Sequence, residues 1–204
     1  MKESSPRFST PISTSRPRGT RLLTAFSPKL ERTVRAFDYP GLEQWVRLEA
    51  DPALSTFCEH PRRVGADNDG ALIDFWVQRN GGEEMLVVDR GGAATKLPAS
   101  LDGIPVRVVA AAELAAAAVW VSNWLRMIPV ITATRGLAPN GLSKSLLALV
   151  NRPLALSFIE HQMSVGDPSV VRGAIFDLLR TGHLQAPGLH THPLSLHTTV
   201  EPRA

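Results

Sequence analysis

Two carboxylates on neighbouring apolar runs are the residues of this chain best placed to do chemistry. Asp74 stands between Ile73 and Phe75, and Asp89 closes the run Leu86-Val87-Val88. Both runs have the composition of strands, and a Gly81-Gly82 pair between them reads as a turn. Acids at the ends of adjacent strands suit Mg2+ or Mn2+, because hard cations take carboxylate oxygens and leave positions open for water and phosphate. The reaction such a site performs is metal-assisted cleavage of a phosphodiester. A third carboxylate would come from the helix preceding the strands. Glu43 falls about 60° from Val46 on a helical wheel, at the rim of that helix's apolar stripe. Glu49 falls nearer the middle of the stripe and competes for the same role.

This chemistry also calls for a cation beside the attacking water, normally a lysine two residues after the second acid. Here that position is Gly91. If the lysine acts like an oxyanion donor, its loss is worth about 3–4 kcal/mol of transition-state stabilisation. Arg90 would face the other way if the strand continued through it, since neighbours alternate. Lys96, in the following loop, is a further basic residue within reach of the sequence pattern. Cleavage is therefore either lost or served by a relocated basic residue. Other constellations are weaker. His183, His190, His192 and His197 contain one H-x-H but no accompanying cysteine pair or carboxylate, and read as loop histidines rather than zinc ligands. Cys58 lies mid-strand with no base in register, and reads as a small core residue.

The elements that must position these groups follow from periodicity and turn signals. A helix is expected over 40–50, capped by Asp38 with Pro40 in its first turn, with Leu42, Trp45 and Val46 as its stripe and Asp51-Pro52 as its stop. Strands are expected over 56–59, 63–65, 71–78, 84–89 and 106–109. Residues 111–127 form a helix, with Leu114, Ala117, Val121, Trp124, Leu125 and Ile128 at helical spacing. Composition then changes. Residues 141–150, 154–163 and 168–180 read as three short helices, the last with Asp167 as cap and Pro168 at its first position. Residues 182–200 read as a two-stranded wing. The fold class is α/β, with an endonuclease-like domain over 36–130 and a helical, winged-helix-like domain over 131–204.

Residues 1–35 differ from the rest. They carry eight lysines and arginines against Glu3 and Glu31, a surplus of six, which leaves the remainder of a chain of net charge +3 at −3. A basic arm rich in Ser, Thr and Pro on a mildly acidic body suits a phosphate backbone. Arg16, Arg18, Arg21, Lys29, Arg32 and Arg35 are the candidate DNA contacts. The arm is expected to be flexible. The chain has 204 residues, 44% of them hydrophobic and 20% charged, enough for a substantial core. A single cysteine and a polar N-terminal stretch lead to the expectation of a cytoplasmic protein. The most apolar window, 104–125, is interrupted by Arg107, Glu113 and Asn123, so no membrane span is expected.

The order of short motifs resembles the TnsA-type transposon endonuclease, a PD-(D/E)xK nuclease. The resemblance is carried by Leu42-Glu43, Glu49-Ala50-Asp51-Pro52, Phe57-Cys58-Glu59-His60-Pro61, Ile73-Asp74-Phe75 and Leu86 to Asp89. It extends to Val106-Arg107-Val108-Val109, Asn123-Trp124-Leu125, Leu178 to Leu184 and Pro193-Leu194-Ser195. It covers roughly residues 36 to 200. It departs from the family pattern at Ile73 for a proline, at His60 for a glutamine, and at Gly91 for the lysine. The resemblance implies a restriction-endonuclease-like core with Glu43, Asp74 and Asp89 as catalytic and metal-binding residues, followed by a winged helix. It also implies a bacterial, nucleoid-associated subunit that binds transposon-end DNA and docks a DDE-type transposase and an AAA+ ATPase regulator. Two other readings stay open. One is a winged-helix DNA-binding regulator whose α/β half serves only to dimerise, and the other is a stand-alone restriction-like nuclease.

Overall fold

The computed structural model describes residues 6–14, 16, 19–65, 70–79, 81–91, 97–163 and 167–203. Its fold is mixed α/β, with a five-stranded mixed sheet and six α-helices among those residues. The chain divides into two compact units. The first comprises Met1–Leu48 and Ala53–Ala116, and the second Glu49–Pro52 and Ala117–Ala204.

The first unit begins with structure inside the basic N-terminal stretch. Leu23–Ser27 (β1) and Arg32–Ala36 (β2) pair antiparallel, with Thr24 opposite Arg35 and Phe26 opposite Thr33. The turn is closed by the Glu31 amide donating to the Ser27 carbonyl at 2.8 Å, and by the Leu30 amide donating to the Ser27 hydroxyl at 3.1 Å. The flexible arm expected over 1–35 is thus corrected over 23–35. Val34 and Ala36 are buried while Thr33 and Arg35 are exposed, the alternation of a half-buried strand. Phe8, further upstream, packs edge-on against Trp76 with ring centroids 5.6 Å apart.

Helix α1 (Tyr39–Glu49) starts where its cap requires. The Asp38 carboxylate accepts the Gly41 amide at 2.8 Å, and a Cβ at Gly41 would lie 2.9 Å from that same oxygen. Strands β3 (Leu54–Glu59), β4 (Phe75–Arg79) and β5 (Gly82–Val88) form an antiparallel meander. β7 (Ile104–Val109) then lies parallel to β5, and β6 (Ser100–Leu101) forms the far edge beside it. The order is β3-β4-β5-β7-β6. Period-2 alternation sends Cys58, Trp76 and Met85 to one face, where they meet Ile73 and Ile104 in a buried cluster covered in part by Phe8 and Val64. Phe57, Phe75 and Leu86 are buried on the other face. The strand expected at 63–65 is a single bridge between Arg63 and Leu72. The helix expected over 111–127 breaks after α2 (Ala111–Ala116), the last element of this unit.

The second unit begins with α3 (Ala118–Thr134), which continues through Pro129 although proline removes a backbone donor. The helix persists because its buried face, including Trp124, Met127, Ile128 and Ile131, has a partner in α6 (Pro168–Arg180). The two helices approach so closely that a Cβ at Gly173 would lie 2.0 Å from the Thr134 hydroxyl. Helix α6 is capped as expected, with Asp167 accepting the Ser169 amide at 2.8 Å. Helices α4 (Leu142–Leu149) and α5 (Leu156–Gln162) precede it. Strands β8 (Leu154–Ala155), β9 (Leu184–Gln185) and β10 (Thr199–Pro202) form a three-stranded antiparallel sheet in the order β8-β10-β9. Asn123 of α3 fixes the segment between β9 and β10. Its amide nitrogen donates to the carbonyls of Leu189 (2.8 Å) and His192 (2.9 Å), and its oxygen accepts the Leu194 amide (2.7 Å).

Candidate functional site: a carboxylate cluster at one end of the sheet

Antiparallel pairing of β4 with β5 brings the start of one strand beside the end of the other. Asp74 immediately precedes β4 and Asp89 immediately follows β5, so both acids stand at the same end of the sheet. Asp74 also continues the ladder, its amide donating to the Leu86 carbonyl at 3.0 Å and its carbonyl accepting the His60 amide at 2.8 Å. The Asp89 amide donates to the Val109 carbonyl at 2.9 Å.

The two side chains then diverge in environment. Asp74 is only 4% exposed, and its carboxylate accepts the Val88 amide at 2.7 Å. Asp89 is exposed, and its carboxylate folds back to accept the Gly91 amide at 2.8 Å. That turn ends the strand. Gly91 has φ +71°, a left-handed conformation that a lysine would adopt only under strain. The position at which a lysine is expected therefore lies on a turn rather than on a strand.

Arg90 fills the space instead. Its Nη1 donates to one Asp74 oxygen at 3.0 Å and its Nη2 to the other at 2.8 Å, a bidentate fork on a buried carboxylate. Nη1 also donates to the Val88 carbonyl at 3.0 Å. Nε donates to Asp38, and Nη2 reaches the other Asp38 oxygen at 3.3 Å. The alternation rule placed this side chain on the wrong face. The rule fails because β5 ends at Val88, which leaves Arg90 free to curl back over the strand end. Asp38, expected only as the cap of α1, is the second acid of the cluster. What could have revealed it in the sequence was the coincidence of a helix cap and an arginine, each in need of a partner.

The electrostatics are those of a closed cluster. Burial would raise the Asp38 carboxyl, but hydrogen bonds from Arg90 and from the Gly41 amide outweigh it and hold the group below the usual carboxylate range. Burial would lower the Arg90 guanidinium, yet Asp74 and Asp38 raise it well above its ordinary value. His60 sits beside them in a left-handed backbone conformation (φ 46°), its ring stacked on Phe37 at 4.8 Å. Burial pushes its imidazole down, and Arg90 adds to this against the attraction of Asp74, Glu59 and Asp38. Neighbouring Glu59 is buried and held by Arg32 of β2 through two hydrogen bonds of 2.6 Å.

The remaining candidates take no part in this hydrogen-bonded cluster. Glu43 is half-buried on α1. Glu49 is fully buried and faces Arg180 at 3.5 Å in the second unit, which gives it a structural partner of its own. Among the described residues no group of three or more histidine, cysteine, aspartate or glutamate side chains is placed to hold a metal ion. The chemistry of the donor set points the same way. A divalent ion needs carboxylate oxygens at about 2.0–2.6 Å, and both Asp74 oxygens already accept from the Arg90 guanidinium, one of them also from the Val88 amide. As arranged, the cluster does not fit Mg2+ or Mn2+. Lys96 and Arg18 lie outside the described residues. Arg16, Arg21 and Arg35 are exposed, whereas Lys29 donates to the Leu48 and Leu54 carbonyls at 3.0 and 3.2 Å and Arg32 is committed to Glu59. The Cys58 thiol is pushed up to about 12, by burial first and by Glu59 second, which keeps it an inert core group.

No helix among the described residues is long and apolar enough to cross a membrane. No protein-family model matches the chain, and no curated protein matches it.

Proposed function

We propose that this chain is a DNA-associated subunit of a transposition complex, similar to the TnsA type, which binds transposon ends and docks a DDE-type transposase and an AAA+ regulator. It does so on a restriction-endonuclease-like core followed by a winged helix. The observation that carries this reading is the placement of Asp74 and Asp89 at one end of a mixed sheet, one before β4 and one after β5. That is where the strand acids of a PD-(D/E)xK core belong. The second unit adds support, since its four helices and a three-stranded sheet ordered β8-β10-β9 accommodate a winged-helix module.

The cluster argues for a positional rather than a cleaving role. Asp74 is neutralised by Arg90, and Gly91 stands where a lysine would hold the attacking water. The alternative, a winged-helix regulator that reads DNA through its last helix, gains little from α6. Its two basic residues are both engaged, Arg172 with Glu160 at 2.5 and 2.8 Å and Arg180 with Asp177 and Glu49. DNA contact instead falls to exposed Arg16, Arg21 and Arg35, with an affinity that depends steeply on salt.

The test is co-assembly. The purified chain, the DDE-type transposase of the same element and a duplex bearing the element end should migrate together on size-exclusion chromatography, and the element should fail to excise in cells lacking this chain. Excision that proceeds unchanged without it would overturn the reading.

A further inference from the structure

The geometry points to Arg90 as the resident cation of the Asp38–Asp74 pair, occupying the position a divalent metal would need and excluding it. Asp38 comes from the start of α1 and Asp74 from the start of β4, and one planar guanidinium spans both. Each of its three nitrogens faces a carboxylate, and Nη1 also satisfies the Val88 carbonyl. The fixed fork of an arginine matches two carboxylates in a way a lysine point charge does not. Two acids and one guanidinium carry one net negative charge, and removing Arg90 leaves two, which favours a cation. Without Arg90 the buried Asp74 carboxylate either protonates or takes an ion from solution, and the second carboxylate of Asp38 beside it favours the ion.

Arg90 thereby also ties the end of β5 to the start of α1, two segments 52 positions apart in sequence. The inference deepens the nuclease-shaped reading and rests on it only for the identity of the ligand displaced. Its consequence is that this end of the sheet is a structural joint closed by an arginine rather than by an ion, and that a single side chain separates the two states.

The experiment is thermal denaturation of the full chain with and without millimolar Mn2+, followed by Mn2+ electron paramagnetic resonance to count bound ions. The wild-type melting temperature should not respond to Mn2+, and no ion should be held. Arg90→Ala should melt several degrees lower and recover on the order of 5 °C when Mn2+ is added. The double variant Arg90→Ala/Asp74→Asn should show no recovery. Arg90→Lys, which keeps a charge but cannot bridge both acids, should fall between wild type and Arg90→Ala. Wild-type chain that binds Mn2+, with the binding abolished by Asp74→Asn, would overturn the inference. So would a folded Arg90→Ala that ignores Mn2+. If Arg90→Ala does not fold, the Arg90→Lys response and the wild-type ion count decide. Neither DNA nor a partner enters the measurement, so its outcome is separate from that of the co-assembly test.

Discussion

Arg32 and Glu59 are joined by two parallel hydrogen bonds of 2.6 Å, guanidinium fork to carboxylate, between strands of different sheets. Glu59 is only 1% exposed, while the arginine keeps part of its surface in water. Glu59 also raises the Arg32 guanidinium, its hydrogen bond outweighing the lowering effect of burial. The pair fastens the β1–β2 hairpin beside β3.

Breaking one half of this pair strands a buried charge. Arg32→Ala should cost about 3 kcal/mol in urea denaturation, because the buried Glu59 carboxylate loses the guanidinium forked onto both its oxygens. Arg32→Met combined with Glu59→Leu should cost markedly less than the sum of the two single changes. Additive losses would show that the two residues act independently.

His60 makes stability depend on pH. Burial lowers its folded-state pKa below the ordinary imidazole value near 6.5. Above about pH 6.5 both folded and unfolded chains carry a neutral ring and the group contributes no pH dependence. As pH falls through that value the unfolded chain takes up a proton that the folded chain refuses, so stability declines until the folded pKa is reached. The slope attributable to this group is at most about 1.4 kcal/mol per pH unit. Asp38 acts in a lower window, where its depressed pKa means that stability is lost as pH drops below the carboxylate range. His60→Asn keeps a residue tolerant of the left-handed backbone and should flatten the decline just below pH 6.5. Unfolding free energies measured from pH 5 to 8 check this, and an unchanged slope in the variant would contradict it.

Asn123 is the polar anchor of the second unit. It is 1% exposed and satisfies three backbone groups of the segment between β9 and β10. Asn123→Ala should destabilise by about 3 kcal/mol, since the buried Leu189 carbonyl, the part-buried His192 carbonyl and the Leu194 amide lose their partner together. Hydrogen exchange at the Leu194 amide should accelerate by at least about a hundredfold, in line with that loss. Exchange at wild-type rates would mean that the segment is held by other contacts.

Local signals in the sequence were sufficient where an element's cause is local. The Asp38 and Asp167 caps, the proline at the start of α6 and the alternation of β3 to β5 each follow from neighbouring residues. The β1–β2 hairpin was hidden because basic and Ser/Pro composition dominates residues 1–35, while the partner that orders it, Glu59, lies 27 residues beyond Arg32. The Arg90 fork was hidden for a related reason. Strand alternation predicts a side chain's face only while the strand continues, and β5 stops at Val88, two residues before Arg90. The break between α2 and α3 was likewise masked, because alanine-rich sequence around Ala117 carries helical spacing on both sides of it.

Binding to duplex DNA tests the central claim most directly. In a mobility-shift or anisotropy titration the purified chain should bind duplex DNA at low salt, with log affinity falling linearly in log salt concentration. Replacing Arg16, Arg21 and Arg35 together by alanine should weaken binding and reduce that slope by about three times 0.9, one unit for each phosphate released. A chain that fails to bind duplex DNA at 50 mM salt, where attraction to the phosphate backbone is strong, or a triple variant with the wild-type slope, would contradict the account.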